Sequence, residues 1–277
     1  TLYAGINSFG YGGTNAHLTL SSAPEKRLFK AKTINLKRPI VMTLSSASDE
    51  SLSIMARKFE NISLEQNGEI RTLAIARGTQ RSHLSNRAWV QGDTAEDIIE
   101  GLKHVAEGQR RGNNIFCGSN EKPKVMFVYT GMGPQWWAMG RTLFDNEPVY
   151  RQAVEECDRL FKVISGWSIL EALNADEMTS KITTTDIAQP ANLVVQVGIT
   201  KLLNSWGVKA EGIMGHSIGE VAAAWASGGL SLKNALTVAY HRSRLQLTTV
   251  GKGGMLAVGL TPDEAVQWVE EFGEKVS

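Results

Sequence analysis

At 277 residues the chain has room for roughly two domains, and 42% hydrophobic residues supply material for real cores. Lys+Arg 29 against Asp+Glu 28 leave a formal charge of +1, so no global field attracts nucleic acid or an anionic membrane, and a charged ligand must be recognised locally. The two cysteines, Cys117 and Cys157, are too few for a disulfide framework and lack metal-ligand spacing; with neither a leader-like start nor a bilayer-spanning apolar run, a cytoplasmic protein with no metal is expected.

Residues Leu2 to Gly10 read as the inside of a folded unit, and a start at Thr1 suggests excision from something larger. Gly10, Gly12 and Gly13 followed by the alternating Ala16-His17-Leu18-Thr19-Leu20 predict a tight turn entering a strand. From Ser21 to about Arg38 the polar, basic composition predicts a solvated linker. A small α/β unit is expected from about Ile40 to Glu121. Its parts are a strand at Ile40–Leu44, a serine-capped helix with Leu52, Met55, Ala56 and Phe59 at helical spacing, a second helix near Ile70 to Ala76, and a strand at Arg87–Val90. Asp93 with Glu96 then reads as the cap of a helix burying Ile98, Ile99, Leu102 and Val105. Gln109 to Asn114 reads as a second connector, and His83 and His104 as structural or solvated.

From Lys124 the character changes. Val125–Tyr129 is a continuous apolar run of the kind found in buried parallel strands, and it ends in Gly131-Met132-Gly133-Pro134-Gln135. Helical patterns follow at Trp136–Phe144, Glu147–Val163, Gln189–Trp206 and Ser231–Leu247, with a strand at Gly212–Met214. Alternating strands and helices predict a doubly wound parallel sheet whose ligands collect at the carboxyl ends of the strands. Near the end, Met255–Leu260 reads as a strand, and Thr261 to Glu264 as the cap of a helix carrying Ala265, Trp268, Val269 and Phe272, the opening of another small unit.

The richest stretch is Gly215-His216-Ser217-Ile218-Gly219-Glu220. A strand ending here and a helix beginning would place Ser217 on a nucleophile elbow, with flanking glycines permitting the turn and the Ile218 N–H aimed at negative charge developing beside the hydroxyl. The same residues also fit a capping box in which Ser217 and Glu220 merely start a helix. The loop at 131 to 135 is the natural source of a second oxyanion donor. Arg242 can grip a carboxylate through two parallel hydrogen bonds, or serve as a plain surface charge.

Val128 to Trp136, Gln189-Pro190-Ala191, Gly215 to Glu220 and Tyr240-His241-Arg242-Ser243 stand in an order that resembles the malonyl/acetyl acyltransferase domains of type I fatty acid and polyketide synthases of the animal type. Asn7 to His17 is similar to the C-terminal glycine-rich loop of a ketosynthase. Residues 21 to 121, with Arg81-Ser82-His83-Leu84 and Arg87-Ala88, are similar to the linker that joins ketosynthase to acyltransferase. The resemblance implies a ketosynthase tail at 1–20, a linker domain at 21–121, and at 122–277 the first, incomplete part of an α/β-hydrolase-like acyltransferase core with a parallel sheet. Residues 253–277 would then begin its ferredoxin-like insert.

Site roles follow from the same resemblance. Ser217 would carry the acyl group, the N–H groups of Gln135 and Ile218 would hold the oxyanion, Arg242 would pair with the malonyl carboxylate, and Gln189 and Met132 would line the pocket. Phe9 matches the gating phenylalanine of a ketosynthase, although packing beneath its glycine loop is an equal role; His17 reads as structural. Substrates would be malonyl-CoA or acetyl-CoA, with no cofactor bound by this segment. The acceptor would be the phosphopantetheine of an acyl carrier protein, and the remaining partners the rest of the synthase, including its ketosynthase, in a homodimeric parent. The family's general-base histidine follows the insert, so it is expected beyond Ser277, and adjacent side chains pointing apart make His216 a poor substitute. An α/β-type serine hydrolase or thioesterase, and a non-catalytic structural segment, are the competing readings.

Overall fold

A computed structural model describes residues 1–22, 38–60, 67–119, 123–254, 256, 258–270, 272 and 276. The predicted linker at 21 to 38 falls almost wholly outside the described residues. The chain divides into two compact units, Thr1–Asn120 and Glu121–Ser277.

The first unit opens with β1 (Tyr3–Phe9) and β2 (Asn15–Ser21), an antiparallel hairpin pairing Tyr3 with Ser21 and Phe9 with Asn15. Every residue of both strands is exposed. This opening stretch is a two-stranded ribbon, and the predicted turn serves a hairpin in which both arms are strands. His17 bonds Asn7 and, at 3.1 Å, Thr19 on this ribbon, in keeping with a structural role.

Next come β3 (Ile40–Ser46), α1 (Asp49–Glu60), α2 (Asn67–Thr79), β4 (Asn86–Gly92), α3 (Ala95–Ala106), β5 (Arg111–Gly112) and β6 (Ile115–Gly118). They form an antiparallel sheet of order β3-β4-β6-β5. Alternation puts Met42, Leu44, Ala88 and Val90 on the face packed with Leu52 and Ala56 of α1 and Ile98, Leu102 and Val105 of α3. Burying each of the larger side chains contributes about 1.5–3 kcal/mol. Three expectations are corrected here. The cap of α3 is Thr94, in a reciprocal capping box with Asp97, because the chain is still extended at position 94, one residue later than Asp93. Ile99 is half-buried, one position off the inward stripe. Residues 109 to 114 are no connector, since Arg111–Gly112 pairs with β6 and extends the sheet.

The second unit comprises β7 (Met126–Tyr129), α4 (Arg141–Asn146), α5 (Pro148–Ser165), α6 (Ile169–Asn174), α7 (Thr185–Ser205), β8 (Gly212–Gly215), α8 (Ile218–Ala226), α9 (Leu232–Leu247) and α10 (Pro262–Val269). Strands β7 and β8 pair in parallel, Tyr129 opposite Gly215, and with the helices they make this unit α/β. Helices α5, α7 and α9 pack on one another around Tyr150, Phe161, Leu193, Val194, Val197, Leu236 and Ala239. The expected buried strand is buried only in part: Met126, Val128 and Met214 are exposed, because among the described residues no element covers that side of the pair. The helix expected at 136 to 144 starts at Arg141, after Gly140 at φ 82. Helix α7 begins at Thr185, so Gln189 and Pro190 lie inside it. The capping box at Thr261 and Glu264 is present. Leu256 and Val258 to Leu260 form no strand, having no ladder partner among the described residues, while Met255 and Ala257 lie outside them.

Candidate active site

The turn after β8 is tight because the chain is still tied to β7 when it bends: the His216 N–H donates to the Tyr129 carbonyl at 3.0 Å. Ser217 then adopts φ 56 and ψ −123, the only non-glycine residue with positive φ among the described residues. Such backbone costs about 1–3 kcal/mol and persists only where its surroundings impose it. Here they do. A Cβ on Gly215 would lie 2.2 Å from the Gly219 carbonyl oxygen, and one on Gly219 would lie 2.1 Å from that of Tyr129, so both glycines are fixed by close backbone approach.

The capping-box alternative is overturned. The Ser217 hydroxyl makes no cap hydrogen bond; the Glu220 N–H donates instead to the Ser217 carbonyl at 3.0 Å, and the Gly219 N–H to the His216 carbonyl at 2.9 Å. Of the first N–H groups of α8, that of Ile218 has no acceptor among the described residues. It stands next to the hydroxyl, as an oxyanion donor must.

Arg242 of α9 reaches the same place. Its guanidinium donates to Ser217 Oγ at 3.1 Å, to Gln189 Oε1, and to Gln246 Oε1 at 3.3 Å. Gln189, 1% exposed, also donates to Gln246 Oε1 at 2.7 Å. Among the described residues no carboxylate pairs with Arg242, so its charge is held in place by neutral amides, available to an anion. Pro190 helps to set this geometry. Lacking an N–H, it leaves the Asp186 carbonyl one turn earlier without its helical donor; the buried Ser243 hydroxyl, next to Arg242, stands 3.4 Å from that carbonyl and 2.9 Å from the Tyr240 carbonyl, the shorter of its two acceptors. Gln246 escaped the sequence reading, although its place four residues after Arg242 on one helix face was a usable signal.

The loop after β7 also comes close. A Cβ on Gly131 would sit 3.0 Å from Ser217 Cβ and 3.0 Å from His216 Nδ1. Gln135 is half-buried, and its Oε1 accepts the Gly133 N–H at 2.6 Å. Met132 is 41% exposed on the loop. Phe9 lies in the other unit, 78% exposed on β1. Thus Ser217, Arg242, Gln189, the Ile218 N–H and Gly131 gather at one point.

Neither cysteine competes as nucleophile. Burial pushes the Cys157 thiol up to about 12, and burial also raises that of Cys117, so little thiolate forms near neutrality. No histidine among the described residues hydrogen-bonds Ser217 Oγ: His83 meets the Gly78 carbonyl at 3.0 Å, and His241 lies edge-on to Tyr240. Among the described residues no His/Cys/Asp/Glu cluster could hold a metal, and no helix is long and apolar enough to cross a membrane.

A strained serine at a strand-to-helix bend, with a guanidinium at its hydroxyl, defines an acyl-transfer type of site, and the chain's relatives agree. Residues 126–272 match the acyl transferase domain family, to which the chain belongs; residues 1–90 match the ketoacyl-synthetase C-terminal extension. The chain is 33% identical to the highly reducing polyketide synthase sdnO of Sordaria araneosa over 98% of its own length and 9% of that protein. Against erythronolide synthase EryA2 of Saccharopolyspora erythraea it is 30% identical over 94% of its length, 7% of that protein. It therefore spans a small part of these curated relatives. Among solved structures, the acyltransferase domain from module 8 of the salinomycin polyketide synthase matches with TM-score 0.73 at 28% identity, covering 85% of this chain and 56% of that one. A loading acyltransferase from the avermectin modular polyketide synthase matches with TM-score 0.51 at 37% identity, over 54% and 47% of the two chains. The hydrolase and non-catalytic readings are not favoured by these matches.

Proposed function

We propose that Ser217 accepts a malonyl group from coenzyme A as an ester and passes it to the phosphopantetheine thiol of an acyl carrier protein. The hydroxyl oxygen attacks the thioester carbonyl, the tetrahedral oxyanion lies against the N–H groups of Ile218 and Gln135, and the C–S bond breaks with the proton passing to the departing thiolate. A carrier thiol then reverses the sequence. Since no described histidine meets the hydroxyl, the base in this reading is a histidine outside the described residues. Gln189 and Gln246 hold Arg242 against the malonyl carboxylate, and Met132 lines the pocket mouth.

The same reading takes residues 1–20 as a ketosynthase tail with Phe9 as its gate, 21–121 as the linker domain, and 122–277 as the start of the acyltransferase, 253–277 opening its insert. The parent is a homodimeric synthase.

One observation carries the proposal: Arg242, without a carboxylate partner among the described residues, donates to Ser217 Oγ at 3.1 Å. A guanidinium there favours a substrate whose acyl group ends in a carboxylate, which a simple esterase does not require. In the parent synthase, Arg242→Ala is expected to slow malonyl loading by at least about a hundredfold, the lower end of what two charge-assisted hydrogen bonds are worth, while acetyl loading changes less than about threefold. Equal losses for the two substrates would remove the clamp.

A further inference from the structure

We infer that Gln196 is a positioning residue for acyl transfer, holding the carbonyl of Thr130 so that the loop from Gly131 to Gln135 stays seated against Ser217. This rests on the proposed acyl-enzyme reading and adds a residue to which no role has been given above.

Gln196 follows Gln189 by seven residues, almost two full turns of α7, so the two lie on the same face about 10 Å apart along the axis. At one end of this stripe Gln189 bonds Arg242. At the other, Gln196 Nε2 donates to the Thr130 carbonyl at 2.9 Å. That carbonyl is held from two directions, because the α-carbon of Gly219 presses on it so closely that a Cβ there would lie 2.7 Å from the oxygen. Fixing a carbonyl fixes the plane of its peptide. The next α-carbon in that plane is Gly131, whose Cβ position is 3.0 Å from Ser217 Cβ. The orientation of the loop relative to the nucleophile is thus set at Thr130 by one hydrogen bond from α7 together with the close approach of Gly219.

The helix secures the preceding residue as well. Tyr129 and Thr200 share a hydroxyl hydrogen bond of 2.8 Å, and Thr200 Oγ1 donates to the Gln196 carbonyl at 2.7 Å. Gln196 Oε1 is buried without a partner among the described residues. An amide that leaves its oxygen unsatisfied there while spending its N–H on Thr130 has one favourable orientation, since turning it over would face oxygen against oxygen. Beside it, β7, Thr130 and α7 line a groove of about 310 Å³ that leaves this edge of the strand open.

A single neutral hydrogen bond of a half-buried residue contributes about 1 kcal/mol to folding. Its loss therefore leaves the fold intact, whereas an oxyanion donor displaced by a fraction of an ångström loses much of its effect. The test uses the parent synthase and the initial rate of malonyl-enzyme formation across malonyl-CoA concentrations. Gln196→Met, which keeps volume and removes the donor, is expected to lower kcat about tenfold with KM within about twofold. Gln196→Glu is expected to show the same loss at neutral pH. Its rate relative to wild type should recover as pH falls into the carboxyl range, where a protonated side chain can again donate to Thr130. Should the methionine variant not fold, the pH dependence of the glutamate variant decides alone. Wild-type kcat in Gln196→Met, a rise confined to KM, or a glutamate-to-wild-type ratio flat with pH would overturn the inference. Ser217→Ala separates the two levels. Labelling that survives it sinks the acyl-enzyme reading itself, while a blank Ser217→Ala beside unaffected Gln196 variants sinks only the role of Gln196.

Discussion

The glycine-bearing turns at residues 10 to 13 and 215 to 219 each follow a strand, and they use glycine for different reasons. In the hairpin, Gly10 is pressed against backbone, a Cβ there lying 2.7 Å from the Thr14 carbonyl oxygen, but Gly13 takes φ 87 with no atom within 4 Å of where its Cβ would be; at Gly13 the demand is conformational, on an open surface. At the elbow neither Gly215 nor Gly219 has a positive φ, and both are pressed against other backbone. The left-handed conformation falls on Ser217 instead. A turn on the surface places strain where a residue tolerates it, whereas the elbow places strain on the residue whose hydroxyl has to be presented.

Substitutions can break this contrast. The largest effect is expected for Gly219→Ala, whose methyl would meet the Tyr129 carbonyl oxygen at 2.1 Å with no flexible side chain to move aside. A loss of about 3 kcal/mol or more in denaturant unfolding of the second unit is predicted, together with loss of acyl-enzyme formation. Ser217→Gly comes next and has the opposite sign: relief of the strained φ should raise stability by about 1–2 kcal/mol while abolishing acylation. Ser217→Ala loses the Arg242 hydrogen bond equally and keeps the strain; a glycine variant no more stable than the alanine variant would mean that Ser217 is not strained. Gly13→Ala is expected to cost about 1–2 kcal/mol, read as faster amide exchange confined to the β1–β2 ribbon. Smallest is Gly12→Ala, with open space around it and no positive φ; it should shift exchange in the same ribbon by less than about 1 kcal/mol, toward stability. If Gly12 and Gly13 responded alike, left-handed geometry would not distinguish them.

The elbow was legible in the sequence because its requirements are local. Two glycines flank a serine between a short apolar strand and an alanine-rich helix, and nothing beyond that hexapeptide is needed to propose the bend. Choosing between bend and cap was not possible, because both use the same residues; the decision lies in the backbone of Tyr129, ninety residues away, against which Gly219 packs. Arg242 was visible as a residue type, but of its partners Gln189 comes from the facing helix α7, and only Gln246 lies on the same helix, one turn on. The inward alternation of β3 and β4 was readable, while the cap of α3 at Thr94 and the pairing of Arg111–Gly112 with β6 depend on where neighbouring strands end. Exposure of Met126 and Val128 was hidden for the same reason: an apolar run shows what could be covered, not which element covers it.

The most direct measurement is peptide mapping by mass spectrometry of the parent synthase, mixed briefly with malonyl-CoA and quenched in acid. A malonyl ester on Ser217, absent from Ser217→Gly, is the predicted result. A Ser217 that stays unmodified while another side chain carries the acyl group would contradict it.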